Sequence, residues 1–444
     1  MSRRNFIKKT ALGATALSVA PSLMSMSKSS YNRILGANDR IHIGFIGLGR
    51  RYPAYIPSLL NKANNIQLSY LCDVMQSQID KRQAELKDQL DYTPQSSEDI
   101  RKVIDDKQVD AIFNATPDHW HTPGTLMALE AGKHVYVEKP CSHTMEENEL
   151  IVAAQKKYGK LVQMGNQQRS SDHTIHLMKD ISDGAIGTPY KAVAFYRNVR
   201  GKVPNQQAAP IPEGLNWDLF QGPAPRRSYT SETWNYNWHW YGWDYGTAEA
   251  GNNGTHELDI ARWALGVDVP NSISIDAGKY HFEDDGWEMY DTMDARFKFD
   301  NNKTIVWDSN SRNNYDTYGG GRGTVIYGTD GSAYVDREKW SLYDRSGKLL
   351  KGGDSANKEA GTALGGGGDM STLHVDNFYQ SIRGTASLRA PIDDAAVSMA
   401  MVHYINLAYR TGEDFKINSD GSIANKKAMK LWGRNYEQGW KPKL

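Results

Sequence analysis

Two glycines that directly follow an apolar run have the spacing of a phosphate-binding turn. The run covers residues 41–46, and the glycines are Gly47 and Gly49. Gly47 would permit a tight turn, and Gly49 would let backbone N–H groups approach a pyrophosphate at the start of a helix. Asp73 ends the next apolar run, at the position where a carboxylate takes the ribose 2′-hydroxyl. We therefore expect a bound dinucleotide, with NAD favoured over NADP.

The glycine pattern departs from the full G-x-G-x-x-G fingerprint at its third glycine. Tyr52 stands at that position, and Pro53 and Pro57 follow where the first helix should begin. A proline inside a helix removes a backbone hydrogen bond and clashes with the preceding turn. The sequence therefore predicts that the helix after the glycine turn begins late or is kinked.

Two histidines, His119 and His121, have a spacing that also occurs in metal sites. No third residue of suitable type and spacing accompanies them in the sequence. Because protein metal sites usually need three or four protein ligands, we expect no metal at this segment.

Short apolar runs alternate with helical patterns from residue 41 to residue 158. The predicted strands cover residues 41–46, 67–72, 109–114 and 134–137, and the predicted helices cover residues 77–91, 98–107, 123–131 and 145–158. Strands that alternate with helices in this way indicate a parallel, doubly wound sheet. The fold class expected is α/β, with an N-terminal Rossmann domain that binds NAD over residues 38–165.

Several ordered motifs follow the glycine turn. They read ATPDHWH at residues 115–121, EKP at residues 138–140, GTHELD at residues 254–259, YGTDG at residues 327–331 and HVDNF at residues 374–378. In this order the motifs resemble those of the Gfo/Idh/MocA oxidoreductases, the family of glucose–fructose oxidoreductase and inositol dehydrogenase. The resemblance extends over residues 40–415 and is specific to the family, but not to one substrate.

The resemblance implies which residues surround the cofactor. The expected set is Gly47, Leu48, Gly49, Arg50, Asp73, Thr116, Pro117, His119, His121, Glu138, Lys139 and Gln168. In that family the lysine of E-K-P lies where nicotinamide meets substrate, and in this chain it is Lys139. The residues alone point the same way, because a cation after a parallel strand lies in the ligand crevice and can polarise a substrate hydroxyl there. Pro140 is expected to fix the backbone after it.

His256 is the candidate for proton transfer. Hydride transfer at a carbon that bears a hydroxyl requires a matched proton transfer at its oxygen, and histidine titrates near neutral pH. The family commonly has an aspartate four residues earlier, where this chain has Asn252. An amide cannot act as a general base, although it can hold a sugar hydroxyl. Either His256 works without that carboxylate or another group, such as Asp244, supplies it. The expected catalytic set is Lys139, His256 and Asn252.

The second half of the chain predicts a different architecture. Strands are expected over residues 190–198, 273–282, 291–299, 303–309 and 323–335, and helices over residues 373–383 and 393–410. These strands are mostly antiparallel candidates. We therefore expect a C-terminal α+β domain over residues 166–444, with a large open, mostly antiparallel sheet that binds substrate.

Residues 231–245 read SETWNYNWHWYGWDY and are unusually rich in aromatic side chains. Sugar rings present C–H faces that pack on such flat apolar surfaces. We expect at least one tryptophan of this segment, or Trp217, to touch substrate, and most of the others to be core or a dimer seam. The substrate-binding candidates are Arg169, Arg197, Trp240, Asp244, Asn252 and His256, with Asn166 and Gln168 as further hydroxyl binders.

Charge and cysteine content exclude several classes of protein. Lys and Arg together number 52, and Asp and Glu together also number 52, so the formal net charge is zero. Nucleic-acid binders normally carry a basic excess, and we expect no nucleic-acid partner. Two cysteines, Cys72 and Cys141, give no disulfide framework. The uncharged residues 10–27 are too weakly apolar for a good membrane span, so no membrane anchor is expected.

The first residues have the order of an export signal. Arg3 and Arg4 precede Phe6 and Lys8, a mildly apolar stretch follows, and it ends in small residues at positions 18–20. This order is typical of a twin-arginine signal, which we place at residues 1–30. A periplasmic location is therefore expected. We also expect a homo-oligomer, a dimer or tetramer, formed through the C-terminal sheet.

These features predict an exported NAD-dependent oxidoreductase that acts on a sugar, polyol or glycoside, for example by forming a 3-keto glycoside. The cofactor is expected to be held tightly, because the periplasm has no free nicotinamide pool. An alternative is an NAD-dependent glycosidase that acts by transient oxidation and elimination, the chemistry of the family-109 glycosidases. A second alternative is a catalytically silent sugar-binding protein with a structural NAD.

Overall fold

The computed structural model of the 444-residue chain describes residues 39–355 and 370–444. The described residues from Ile41 onward form one compact unit, which contains both sheets. The expected export signal lies outside the described residues.

Six parallel strands form the first sheet. They are β1 (Ile41–Ile46), β2 (Ile66–Cys72), β3 (Gln95–Ser97), β4 (Ala111–Asn114), β5 (His134–Val137) and β6 (Val162–Met164). The order β3-β2-β1-β4-β5-β6 reverses direction between β1 and β4. Ligands bind beside the carboxyl ends of the strands at such a reversal. The predicted doubly wound parallel sheet is confirmed.

The helices of this half follow the strands. They are α1 (Ile56–Leu60), α2 (Gln76–Leu86), α3 (Ile100–Ile104), α4 (Asp118–Glu130) and α5 (Met145–Tyr158). A 3₁₀ turn over Tyr52–Tyr55 precedes α1, so the first helix begins late, as predicted. The predicted start of α4 at residue 123 was wrong. Proline is favoured at a helix start, but α4 begins at Asp118 and carries Pro123 in its interior.

Nine of the described strands form the second sheet. They are β7 (Pro189–Arg197), β8 (Ser272–Gly278), β9 (Thr292–Lys298), β10 (Thr304–Asn310), β11 (Arg322–Gly328), β12 (Gly331–Val335), β13 (Lys339–Asp344), β14 (Leu349–Asp354) and β15 (Phe415–Lys416). Their order is β14-β13-β12-β11-β7-β10-β9-β8-β15. Strands β7 and β10 are parallel neighbours, and the other described neighbours are antiparallel. The expected open, mostly antiparallel sheet is confirmed.

The predicted single strand over residues 323–335 was wrong. It is a hairpin, in which β11 and β12 pair antiparallel around Thr329 and Asp330. The run of β-branched and aromatic residues on both sides hid the turn in the pattern. Strands β13 and β14 were not predicted. Strand β14 shows little strand pattern, because it is almost wholly exposed and contains Gly352 and Gly353.

Helices of the second half cover the new sheet and reach back to the first. They are α6 (Asp172–Ser182), α7 (Trp217–Gln221), α8 (Thr255–Leu265), α9 (Met370–Ile382), α10 (Ile392–Thr411) and α11 (Lys426–Met429). Helix α8 packs against β7, β11 and α10. A π-helical turn over Ala250–Gly254 leads directly into α8. Among the described residues, no helix combines the length and the apolar character needed to cross a membrane.

Helix α9 completes the core of the first sheet. Its residues Val375 and Phe378 are fully buried in the same apolar cluster as Phe45 and Phe113 of strands β1 and β4. The rings of Phe113 and Phe378 meet edge to face, with centroids 5.7 Å apart. The two halves of the chain therefore share a core, and residues from both can line one cavity.

Candidate active site

A cavity of about 1130 Å³ lies at the carboxyl ends of the first sheet. From that sheet its wall receives Gly47, Gly49, Arg50, Asp73, Thr116, Pro117, His121, Glu138 and Lys139. From the second half it receives Tyr196, Arg197, Asn252, His256, Arg322 and Arg337. Ligand sites of small-molecule enzymes have volumes of about 300–1,000 Å³. A cavity of this size has room for a dinucleotide together with a second molecule.

The glycine turn presents bare backbone to this cavity. Gly47 has φ of +90°, and a Cβ there would lie 2.4 Å from the carbonyl oxygen of Ala115. A Cβ on Gly49 would meet nothing within 4 Å, because the cavity opens beside it. The turn is therefore tight at its first glycine and open at its second, which fits the approach of a pyrophosphate to the backbone.

Asp73 ties the glycine turn to the end of β2. Its carboxylate accepts hydrogen bonds from the backbone N–H groups of Leu48, at 2.7 Å, and Met75, at 2.9 Å. Burial raises the pKa of Asp73, although these two N–H groups oppose the shift. A carboxylate has about four acceptor positions, so Asp73 retains capacity for a ribose hydroxyl.

Glu138 is held in a buried polar cluster at the cavity wall. It accepts hydrogen bonds from Arg51 Nε at 2.8 Å, from Gln167 Nε2 at 2.9 Å and from the Tyr55 hydroxyl. Burial opposes ionisation of Glu138, but the Arg51 guanidinium outweighs it and holds the pKa of this carboxyl below its usual range. Glu138 is therefore a charged anchor for the segment that carries Lys139, whose peptide bond to Pro140 is cis.

Lys139 reaches across the cavity to the π-helical turn. Its Nζ donates to the backbone carbonyl oxygen of Asn252 at 2.7 Å. Burial lowers the pKa of Lys139, while the nearby carboxylates of Glu138 and Asp118 oppose the shift. The contact uses the main chain of residue 252, so it does not depend on whether that residue is Asn or Asp.

His256 lies in the first turn of α8 and borders the same cavity. Burial lowers the pKa of His256 well below its ordinary value of 6.5, and the cations Arg337 and Lys139 add to the shift. Its ring has no hydrogen-bond partner within the described parts of the chain. A neutral, unengaged imidazole on a cavity wall can accept a proton from a bound hydroxyl.

Asp118 is a wall residue that the sequence reasoning missed. It is buried at the first position of α4, and the hydroxyl of Thr247 donates to its Oδ2 at 2.6 Å. Burial raises the pKa of Asp118 to about 7. The available signal was its place directly after β4, beside Thr116, at the edge of the sheet where ligands bind.

Part of the aromatic segment also reaches the cavity. Trp234, Tyr236 and Trp238 contribute to its wall, and the Arg50 guanidinium lies 4.5 Å from the Tyr236 ring centroid. The segment 231–245 therefore approaches the glycine turn directly.

The expected substrate contact of Trp240 is not supported by its position. Trp240 is buried and stacks on Trp287, with ring centroids 3.8 Å apart. Trp217 is likewise buried, in a cluster with Phe220 and Tyr245. Their indole faces are occupied by core neighbours and offer no surface to a sugar.

Several other expected site residues do not reach the cavity wall. They are Leu48, His119, Asn166, Gln168, Arg169 and Asp244. Arg169 pairs with Asp259 at 2.7 Å, and Asp244 lies 3.3 Å from Arg227. Since Asp244 is paired away from the cavity, it does not stand in for a carboxylate near His256.

Of the four remaining residues, His119 and Gln168 have polar partners, and the buried side chain of Asn166 has none among the described residues. His119 Nε2 contacts the Phe220 carbonyl oxygen at 2.8 Å, and Gln168 Nε2 donates to that of Asp336 at 3.1 Å. Leu48 acts through its backbone. Across residues 39–355 and 370–444, no three His, Cys, Asp or Glu side chains are grouped to hold a metal ion.

Two family models match the chain. The model described as an oxidoreductase family with an NAD-binding Rossmann fold matches residues 41–166. The model described as the C-terminal alpha/beta domain of an oxidoreductase family matches residues 176–339. The two matches follow each other along the chain and correspond to the two sheets.

Curated relatives are similar at low identity. An uncharacterized oxidoreductase of Bacillus subtilis, YrbE, is 25% identical over 300 residues, which are 68% of this chain and 75% of the relative. A glycosyl hydrolase family 109 protein of Saccharopolyspora erythraea is 25% identical over 252 residues, 51% of this chain and 54% of the relative. The chain thus spans about half the length of that second relative.

A solved structure shows the same fold. The complex of levoglucosan dehydrogenase with NADH and levoglucosan matches with a TM-score of 0.63 and 20% identity. The match covers 85% of this chain and 99% of that chain. At this identity the likeness concerns the architecture of both sheets.

Proposed function

The chain belongs to the Gfo/Idh/MocA oxidoreductase family, and from this premise we propose that it is an NAD-dependent oxidoreductase acting on a sugar, polyol or glycoside. The observation that carries the proposal is the single cavity that joins the glycine turn and Asp73 to Lys139 and His256. A dinucleotide site and a proton-exchanging pair thus share one space. Family relatives and structural neighbours named for sugars support the substrate class.

The wall residues fit a nicotinamide dinucleotide. The open space beside Gly49 would receive the pyrophosphate, and Asp73 would accept a ribose hydroxyl. A 2′-phosphate would bring a second negative charge to Asp73, which favours NAD over NADP. When bound, the nicotinamide supplies a two-electron acceptor for hydride from a carbinol carbon.

Lys139 would orient the reacting hydroxyl. An ammonium group has three N–H donors, and one of them is used by the Asn252 carbonyl oxygen. The other two have no partner in the described residues, and Lys139 lines the cavity, so they are available to a bound hydroxyl. A positive charge held there stabilises negative charge that develops on the substrate oxygen.

His256 would take the proton of that hydroxyl. Its low pKa keeps the ring neutral at neutral pH, which is the form that accepts a proton. After a ketone forms, the same ring would carry the proton until reduction returns it or solvent removes it. General acid–base catalysis of this kind contributes typically about 10²–10⁴-fold.

The proposal also covers location and assembly. We place the enzyme in the periplasm, because of the twin-arginine pattern in residues 1–30. Residues 38–165 would bind NAD and residues 166–444 the substrate, with a homo-oligomer formed through the second sheet. A cofactor that cannot be replaced outside the cytoplasm must stay bound, so the protein should carry it when purified.

The direct test is to purify the full-length protein and follow the absorbance of reduced nicotinamide while glycosides and free sugars are added. We expect one class of glycoside to reduce the bound cofactor without added NAD. If a sugar binds but none reduces the cofactor, the silent sugar-binding function replaces this proposal.

A glycosidase is the second candidate, supported by the family-109 relatives. Oxidation of one ring carbon acidifies the neighbouring C–H bond. Loss of that proton expels the glycosidic oxygen, water adds to the double bond formed, and reduction of the ketone restores the sugar. The reaction consumes no net oxidant. Release of the aglycone in deuterated water, with deuterium at the carbon next to the oxidised one, would distinguish it from net oxidation.

A further inference from the structure

A buried carboxyl group faces Lys139 from another element of the cavity wall. Asp118 opens α4, and Lys139 follows β5, so the two residues come from neighbouring parts of the same sheet edge. Both contribute to the wall of the cavity. Their hydrogen-bond partners lie five residues apart, at Thr247 and Asn252, and among the described residues no direct ion pair joins the two side chains.

Each of the two side chains is fixed by the segment 247–252. The Thr247 hydroxyl donates to Asp118 Oδ2 at 2.6 Å, and the Asn252 carbonyl oxygen accepts from Lys139 Nζ at 2.7 Å. Asn406 Nδ2 in turn donates to the carbonyl oxygen of Thr247 at 2.9 Å. The geometry of the pair is therefore set by one short stretch of main chain that α10 holds in place.

The other carboxylates of this region are engaged elsewhere. Glu138 is bound by Arg51, and Asp244 lies beside Arg227 away from the cavity. Asn252 contributes no charge. Lys139 is the charged group that acts on Asp118, and the other partner of its carboxyl is the uncharged Thr247. Glu138 also acts on Lys139 but is paired with Arg51, whereas Asp118 has no arginine partner among the described residues.

We propose that Asp118 is a positioning residue, which keeps Lys139 protonated and so able to donate to the substrate hydroxyl. The proposal rests on the proposed function for its substrate, but its charge effect concerns the chain itself. The buried carboxyl supplies a negative charge near Lys139. Neither the uncharged Asn252 nor Asp244, which pairs with Arg227, can supply that charge.

The expected sign follows from the charges. Burial lowers the pKa of Lys139, the carboxylates of Glu138 and Asp118 oppose that shift, and the cations Arg337 and Arg51 add to it. Removing the charge of Asp118 lets the pKa of Lys139 fall further, so the ammonium loses its proton at lower pH. Since Glu138 keeps its charge in such a variant, the alkaline limb of activity should move down by roughly one pH unit.

The test compares Asp118→Asn with the parent holoprotein and with Asp244→Asn, which removes a carboxylate outside the cavity. We expect the alkaline limb of kcat/KM to move down in Asp118→Asn and to stay in place in Asp244→Asn. Bound NAD content and the thermal unfolding midpoint report whether the variant is intact. If Asp118→Asn does not fold, Asp118→Ser removes the same charge with a residue suited to a helix start.

A second readout is independent of turnover. Lysine labelled with ¹⁵N at Nζ gives a signal for Lys139, assigned by its loss in Lys139→Arg, and its pH titration reports the charge directly. A lower midpoint in the Asp118 variant supports the proposal even if no glycoside reacts, in which case the proposed function alone fails. Unchanged titration together with an unchanged alkaline limb overturns the proposal while leaving the oxidoreductase function standing.

Discussion

Lys139 and His256 divide the proton chemistry of the cavity because their surroundings act on them differently. Burial lowers the pKa of both residues. Nearby carboxylates oppose this shift at Lys139, whereas nearby cations add to it at His256. On the same wall, carboxylates therefore favour the charged form of Lys139, and burial and cations favour the neutral form of His256. Two such groups at one hydroxyl act in one transition state, so losses on their removal should not add.

His256→Gln should lower single-turnover reduction of the bound cofactor by about 10²–10⁴-fold. The ring is the proton acceptor, and glutamine cannot take its place, although it has a similar volume. Cofactor content should stay near that of the parent, because Gly47 and Asp73 are untouched. A variant that reacts at the parent rate would show that His256 is only structural and that the proton travels by another group.

The pH dependence of the parent should follow the low pKa of His256. The base must be neutral, so activity should persist below pH 6.5, the ordinary value for histidine. The measurement is the acidic limb of kcat/KM, which should lie below that value and disappear in His256→Gln. An acidic limb at or above 6.5 would contradict the assignment.

Asp73→Ala should weaken NAD binding and narrow the preference for NAD over NADP. The carboxylate is the expected acceptor for the ribose hydroxyl, and it also holds the backbone of Leu48 in the glycine turn. Affinity for the two nucleotides is measured by calorimetry on protein stripped of its cofactor. Asp244→Asn is the matched control. If the parent protein binds NADP more tightly than NAD, Asp73 does not select for the ribose 2′-hydroxyl.

At the residue scale, motif and strand position predicted where Lys139, His256 and the glycine turn would lie, but not what each side chain would contact. Trp240 directly follows the cavity residue His239, and Asp244 lies in the same aromatic segment, yet core stacking and an arginine partner hold them away from the cavity. Asp118 was not predicted as a site residue, because its position in the site depends on Thr247, which lies far away along the chain. Long-range partners of this kind leave no local pattern.

The π-helical turn binds Lys139 through the carbonyl oxygen of Asn252 and lies beside Thr247, which holds Asp118. Gly251 lies within it, and a Cβ there would come 1.8 Å from Thr247 Oγ1. That hydroxyl is the donor to Asp118. Any side chain at position 251 would therefore have to displace the side chain of Thr247.

Gly251→Ala should destabilise the protein by about 1–3 kcal/mol, the usual cost of overpacking a buried site. The added methyl group would displace the Thr247 hydroxyl and with it the contact to Asp118. The double variant with Thr247→Ala removes the obstructing atoms, so it should lose less stability than the two single variants summed. Denaturant unfolding of the four proteins measures the coupling, and strict additivity would contradict the clash.

The elements of the first half were the more predictable ones. Strands β1 and β5 and helix α5 have the bounds that the sequence predicts, because a buried parallel sheet leaves continuous apolar runs and a helix leaves clear end signals. The second sheet is exposed on more of its surface, and edge strands such as β14 carry little apolar signal. The hairpin of β11 and β12 was missed although Asp330 and Gly331 form a typical turn pair, because the flanking β-branched and aromatic residues continue the strand pattern on both sides.

The whole molecule should be stabilised by the cofactor it binds. A ligand that binds only the folded state at 100 times its Kd adds about 2.7 kcal/mol. Stripping the nucleotide should therefore lower the unfolding midpoint, and adding NAD back should restore it. Calorimetric scans of purified, stripped and reloaded protein make the measurement. Equal midpoints would contradict tight retention.

Helix α9 gives the protein a particular order of events during synthesis. Val375 and Phe378 emerge from the ribosome long after Phe45 and Phe113, yet they belong to the same cluster. Until residues 370–382 are made, one face of the first sheet lacks its cover and exposes aromatic surface to chaperones or to other nascent chains. A shortened chain that ends near residue 165 should therefore aggregate, even though it contains all six strands of that sheet. The core of the first sheet can therefore be completed only after residues 370–382 have been synthesised.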